Sequence, residues 1–174
     1  MPPLNRNRME LTGNPPNAVY RRFEGMREYE LLIDQMIPLA QRIIRVFDKS
    51  LSNRYNSATR IDLLARFLRA DRMNRLLIIT HDVRSLSAAC PRLIGLARQF
   101  SHALSIRETL RQARHAHDPF VIVDGSHYVH RFHHDHLRAA QGLHDAAGTR
   151  QLIDRFDEIA EYSGPPLAIN VTGL

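Results

Sequence analysis

The 174-residue chain contains one cysteine, Cys90, and one lysine, Lys49. A single thiol excludes an internal disulfide and a thiolate zinc cage, so a reducing, cytoplasmic setting is the expectation. Apart from Lys49, 23 of the 24 basic residues are arginine, a ratio that fits GC-rich codon usage better than selection for arginine chemistry. Long apolar runs are missing. None approaches the roughly 18 residues of a membrane span, and MPPLNRNRMELTGNPPN at the amino end lacks the apolar stretch of a signal peptide. There is no Walker loop, no Gly-x-Gly-x-x-Gly and no Gly-x-Ser-x-Gly elbow, which argues against the common nucleotide-binding classes.

A hydrophobic fraction of 44% with 24% charged residues describes a globular chain with one core. Residues 1–22 hold four of the nine prolines without hydrophobic periodicity and read as a flexible arm, leaving residues 23–174 as a single domain. Charge is uneven along the chain. Residues 1–56 carry +3, residues 57–118 carry +6 and residues 119–174 carry −3. A basic middle segment is suited to phosphates, to nucleic acid or to an acidic protein face.

The hydrophobic period alternates between helix and strand. Met26, Tyr29, Ile33, Met36 and Ile37 predict a helix that Pro38 ends or kinks. Ile43 to Phe47 predict a strand closing at Asp48. Asn56 or Ser57 caps a helix facing inward through Ile61, Leu64, Ala65 and Leu68, with Arg60, Arg66, Arg69 and Arg72 on its outer surface. Leu76–Ile79 reads as a strand covered on both faces, Pro91 opens a helix, and Leu104 and Ile106 lie on a further strand. Phe120–Val123, the Asp124-Gly125 turn and the alternation through Phe132 predict a hairpin. A last helix is expected from about Thr149, as its cap, to Tyr162. The pattern is α/β, a mixed β-sheet flanked by helices. Ligand sites in such sheets gather beyond the carboxyl ends of the strands, here Asp48, Thr80-His81-Asp82, Arg107-Glu108 and Asp124.

Seven of the ten histidines fall between His115 and His136. His133-His134-Asp135-His136 has metal-ligand chemistry. Neighbours on a strand point to opposite faces, however, and no HExxH pair sets two imidazoles on one helix face, so neither a metal nor another cofactor is expected. Cys90 has no identifiable base and reads as structural.

His117-Asp118-Pro119, the strand Phe120–Val123 and Asp124-Gly125 resemble the His-x-Lys-x4-Asp motif of the phospholipase D-like superfamily, with Pro119 at the lysine position. The segments RIIRVFDKSLSNRYNS, CPRLIGLARQF, DPFVIVDGSHYVHRFHHD and RFDEIAEYSGP resemble more narrowly a bacterial family of uncharacterised domains within that superfamily, sometimes fused behind an acetyltransferase. The resemblance implies a phospholipase D-like half-fold and a homodimer with residues 117–133 near its axis. It implies His117 and Asp124 as relic catalytic positions; by proximity, Arg107 and Arg131, with His130 and His133, are the ligand-binding candidates beside them. Proline donates no hydrogen bond from side chain or backbone. The expected function is therefore a non-catalytic module binding a phosphate-bearing ligand or a protein partner. The alternatives are a metal-independent phosphodiesterase or nuclease using His117 with an arginine clamp, and non-specific nucleic-acid binding through the basic middle segment.

Overall fold

The structure is a computed structural model and describes residues 16–169. Its first half runs β1 (Val19–Glu24), α1 (Met26–Met36), β2 (Ile43–Ser50), α2 (Ala58–Ala70), β3 (Arg75–Asp82), α3 (Leu86–Ala89) and α4 (Pro91–Gln99). The second half runs β4 (Leu104–Glu108), β5 (Phe120–Val123), β6 (His127–Arg131), β7 (Arg138–Leu143) and α5 (Ala146–Glu161). The seven strands form one sheet in the order β1-β7-β6-β5-β2-β3-β4. β2, β3 and β4 are parallel, and every other neighbouring pair is antiparallel.

Strand alternation divides the core in two. Ile44, Val46, Leu76, Ile78, Leu104 and Ile106 face α1, α2 and α4. Phe47, Ile79, Phe120 and Ile122 face Leu152, Phe156 and Ile159 of α5. Covering both faces is what lets β3 and β5 be continuous apolar runs. Local punctuation follows the sequence in several places. Pro38 ends α1 in a 3-10 turn over Ile37–Leu39, the Ser57 hydroxyl accepts from the Arg60 N–H at 3.2 Å, and Pro91 opens α4. No helix among the described residues is long and apolar enough to cross a membrane.

Four expectations are corrected. Residues 19–22, assigned to the arm, belong to edge strand β1, which pairs with β7 through Val19, Tyr20 and Phe23 beside two arginines; residues 1–15 lie outside the described residues. β7, Arg-Ala-Ala-Gln-Gly-Leu, was not anticipated, because alanine and glycine are weak strand formers. Its glycine answers to packing instead, since a Cβ on Gly142 would overlap the Tyr128 ring on β6. The cap of α5 is Asp145, whose carboxylate accepts from the Gly148 N–H at 2.9 Å, and Thr149 is buried inside the helix. Arg60, expected on the outer surface of α2, is 2% exposed and bonds α1.

Candidate functional site

The parallel run of β2, β3 and β4 brings Asp48, Thr80-His81-Asp82 and Arg107-Glu108 to one edge of the sheet. β5 runs the other way. It begins at that edge, where His117 enters it, and ends at the opposite edge with Asp124. Asp124 is therefore separated from His117 by the length of the strand, and its carboxylate serves the backbone. It accepts the N–H groups of Gln41, Arg42 and Ile43 at 2.8, 2.9 and 2.9 Å, anchoring the start of β2.

At the first edge, His81 fixes the segment leading to His117. Its Nε2–H donates to the Ala116 carbonyl at 2.7 Å, and its Nδ1 accepts from the Thr109 hydroxyl at 2.6 Å. Burial lowers the His81 pKa, which keeps the ring neutral for this pairing. The His117 carbonyl accepts from the His134 N–H at 2.7 Å. The His117 ring is exposed, with its centroid 5.5 Å from that of His133 and 5.3 Å from that of His134. Lys49, from the end of β2, brings its Nζ within 2.9 Å of His134 Nε2. Burial, then the Lys49 charge, push the His134 pKa down. His133, His134 and Asp135 hold ligand atoms within 4.8 Å of one another. The Lys49 ammonium already faces His134 Nε2 there, so a divalent ion would meet a like charge at its second ligand.

The other sequence candidates separate. Arg107 donates to the carbonyls of Gly164, Ala160 and Ser163 at 2.7, 2.9 and 2.9 Å, closing the carboxyl end of α5. His130 bonds Asp118 at 3.2 Å, and Arg155 of α5 meets the same carboxylate at 2.7 Å. Burial pushes Asp118 up, but the hydrogen bonds from His130 and Arg155 outweigh it and hold the carboxyl at about 2. These contacts dock α5 onto the sheet. Arg131 donates to the carbonyls of His134 and His136, and so shapes the loop carrying His133 and His134. Cys90 is fully buried, with its thiol pushed up to about 11 by burial, and is inert as a nucleophile.

Beside the histidines lies a cavity of about 310 Å³, lined by α1, the end of β2, the 3-10 turn Asn53–Asn56, Arg60 and the 131–137 segment. Lys49, Arg54, Arg60 and Arg131 bring cations to it, and Glu30, Asp48 and Asp135 bring carboxylates. Arg60 is paired with Asp34 at 2.7 Å, and Arg54 with Glu30 at 2.7 Å. No carboxylate lies within ion-pair distance of Lys49 or Arg131 among the described residues. The sequence offered one signal for Lys49: it is the chain's only departure from arginine.

Burial pushes the Asp48 carboxyl up to about 6, against the pull of the Ser50 and Lys49 N–H groups and of Arg131 and Arg54. The folded state thus holds this proton over a pH range in which the unfolded chain has released it. Stability from this group is present in acid and is lost as pH rises through about 6. Asp48→Asn is expected to stabilise the fold by about 2 kcal/mol at pH 7.5 and to leave it unchanged at pH 4. Urea unfolding of both proteins at the two pH values measures this. A gain of equal size at both would remove the titration from the account.

The sequence model of a domain family described as "Domain of unknown function (DUF7931)" matches residues 27–169. No curated protein matches the sequence. Among solved structures, the chain is similar to Nuc, a phospholipase D family member from Salmonella typhimurium, at a TM-score of 0.62 and 11% identity, over 87% of this chain and 99% of that one. It is similar to NucT from Helicobacter pylori at 0.56 and 11% identity, over 84% and 98%. TrmBL2, an archaeal chromatin protein whose structure shows a mode of DNA binding, aligns at 0.59 and 16% identity, over 83% of this chain and 53% of that one. The fold is therefore phospholipase D-like, as the residues around His117 led one to expect.

Proposed function

We propose, for a chain that belongs to the DUF7931 domain family, that it is a phospholipase D-like module holding a phosphate-bearing ligand at the His117 edge without turning it over. The observation that carries this reading is the placement of Lys49, a cation without an ion-pair partner among the described residues, on the cavity beside His117, His133 and His134, with the charge of the backbone-bonded Arg131 on the same wall. Such charges bind phosphate oxygens through charge-assisted hydrogen bonds. Two features speak for binding over turnover. Pro119 stands where the superfamily motif has its lysine. The His117 ring makes no hydrogen bond among the described residues, whereas a nucleophilic or acid–base imidazole needs a partner to set its tautomer and aim.

Titration with inorganic phosphate, followed by calorimetry, is expected to show saturable binding that Lys49→Ala weakens at least about tenfold. Bis(p-nitrophenyl) phosphate at high protein concentration is expected to give no release above a His117→Ala control. Lys49 beside the histidines also favours a second reading, a phosphodiesterase in which this lysine replaces the motif's own. Chelator-insensitive release that His117→Ala abolishes would establish it and end the first. Nucleic acid is the remaining candidate ligand, and its affinity would fall steeply with salt as bound counterions are released.

A further inference from the structure

The inner wall of the same cavity carries more hydrogen-bonding groups than a phosphate requires. Tyr29 and Tyr55 line it, 3% and 5% exposed. Their hydroxyls are buried and have no hydrogen-bond partner among the described residues. Two such groups are costly to leave unsatisfied, and native interiors rarely do so away from a ligand or an ordered water. Burial raises the pKa of both phenols, with Asp48 and the other tyrosine adding to the rise in Tyr29, and Asp48 adding to it in Tyr55. Both hydroxyls stay protonated, on a cavity whose lining also includes Asp48.

The rings do not offer stacking surfaces. The Arg131 guanidinium lies 5.6 Å from the Tyr29 centroid, and that of Arg60 lies 5.3 Å from the Tyr55 centroid. With both rings enclosed, no face is left for a nucleobase, and two guanidiniums repel an ammonium group. What remains is a set of short-range donors and acceptors: two hydroxyls that both give and take, a carboxyl and a guanidinium. Vicinal hydroxyls complement that set, because each gives and takes in the same way.

We propose that this cavity is a subsite for the hydroxylated part of a phosphate ester, a pentose or short polyol, whose phosphate sits at Lys49 and His134 on the rim. The inference rests on the phosphate-binding reading above and extends it to the substituent. A volume of about 310 Å³ suits a group of that size.

Calorimetry with inorganic phosphate, ribose 5-phosphate and glycerol 3-phosphate tests it. At least one of the two esters is expected to bind about tenfold more tightly than phosphate. Tyr29→Phe and Tyr55→Phe should each erase most of that advantage while leaving phosphate affinity as it is. Both variants should melt at or above the parent temperature, since each removes only an unpartnered hydroxyl. Lys49→Ala should weaken all three probes alike. Esters and phosphate binding equally to the parent protein would overturn the subsite and leave the phosphate site standing, as would an advantage indifferent to both tyrosine changes. A fall in melting temperature in both variants would also overturn it, by showing that the hydroxyls have partners inside the fold. Absence of binding by all three probes would remove the phosphate site and the subsite together. A lipid source for the same chemistry would show as a preference for phosphatidylglycerol over phosphatidic acid vesicles that Tyr55→Phe abolishes. A preference for the soluble esters alone would assign a free metabolite.

Discussion

Asp124→Ala is expected to lower the unfolding free energy by about 3–4 kcal/mol and the melting temperature by about 10 °C. The carboxylate accepts three consecutive backbone N–H groups, from Gln41, Arg42 and Ile43, at 2.8–2.9 Å. A hydrogen bond to a charged group is worth about 1.5–3 kcal/mol, and this carboxylate is partly solvated, so each bond falls below that range, at about 1–1.3 kcal/mol. Removing the acceptor leaves three donors at the entry to β2, the strand flanked by β3 and β5 at the centre of the sheet. Asp124 also sits at φ 53, in the left-handed region that asparagine tolerates and alanine does not. Asp124→Asn keeps that tolerance and one acceptor oxygen, and is expected to lose about half as much. Urea unfolding of the two variants separates anchor from backbone. A loss below about 1 kcal/mol for alanine, combined with lost phosphate binding, would return Asp124 to the functional site.

This residue shows where sequence reading stops. His117 and Asp124 lie on either side of a four-residue strand, and spacing alone makes them partners. The strand carries one to each edge of the sheet, so the same spacing keeps them apart. Elements with a strong period were legible: β2, β3 and β5 through continuous β-branched and aromatic runs, and α1, α2 and α4 through their inward faces and proline or serine boundaries. β7 was not, because its alanines and glycine carry no strand signal, and at Gly142 the Tyr128 ring leaves no room for a larger side chain. Of the site, His117, His133 and Arg131 were legible as residues near one edge. Asp48 was legible as a strand end, but Lys49, Tyr29 and Tyr55 were not joined to the site, since they come from α1, β2 and a 3-10 turn whose convergence is a product of packing. Arg107 was legible as a cation at a strand end, but only the position of α5 reveals that its donors are used by that helix.

The second large effect belongs to Arg60. Arg60→Met is expected to cost about 3 kcal/mol, and adding Asp34→Leu to restore most of it. The guanidinium is 2% exposed, bonds Asp34 Oδ1 at 2.7 Å and the Glu30 carbonyl at 3.0 Å, and covers the Tyr55 ring. Its loss strands a carboxylate that is only 24% exposed, and uncompensated charge of that kind is what makes half of a buried pair so damaging. Removing both charges spares the fold that penalty. Methionine and leucine together supply apolar volume between α1 and α2. A double variant no more stable than the single one would locate the role of Arg60 in packing over Tyr55 and not in the ion pair. The cavity supplies an independent readout, because the same guanidinium forms part of its wall. In the double variant, stability is expected to return while the preference for sugar phosphate over inorganic phosphate does not. That outcome would separate what the arginine does for the fold from what it does in holding the Tyr55 hydroxyl in place.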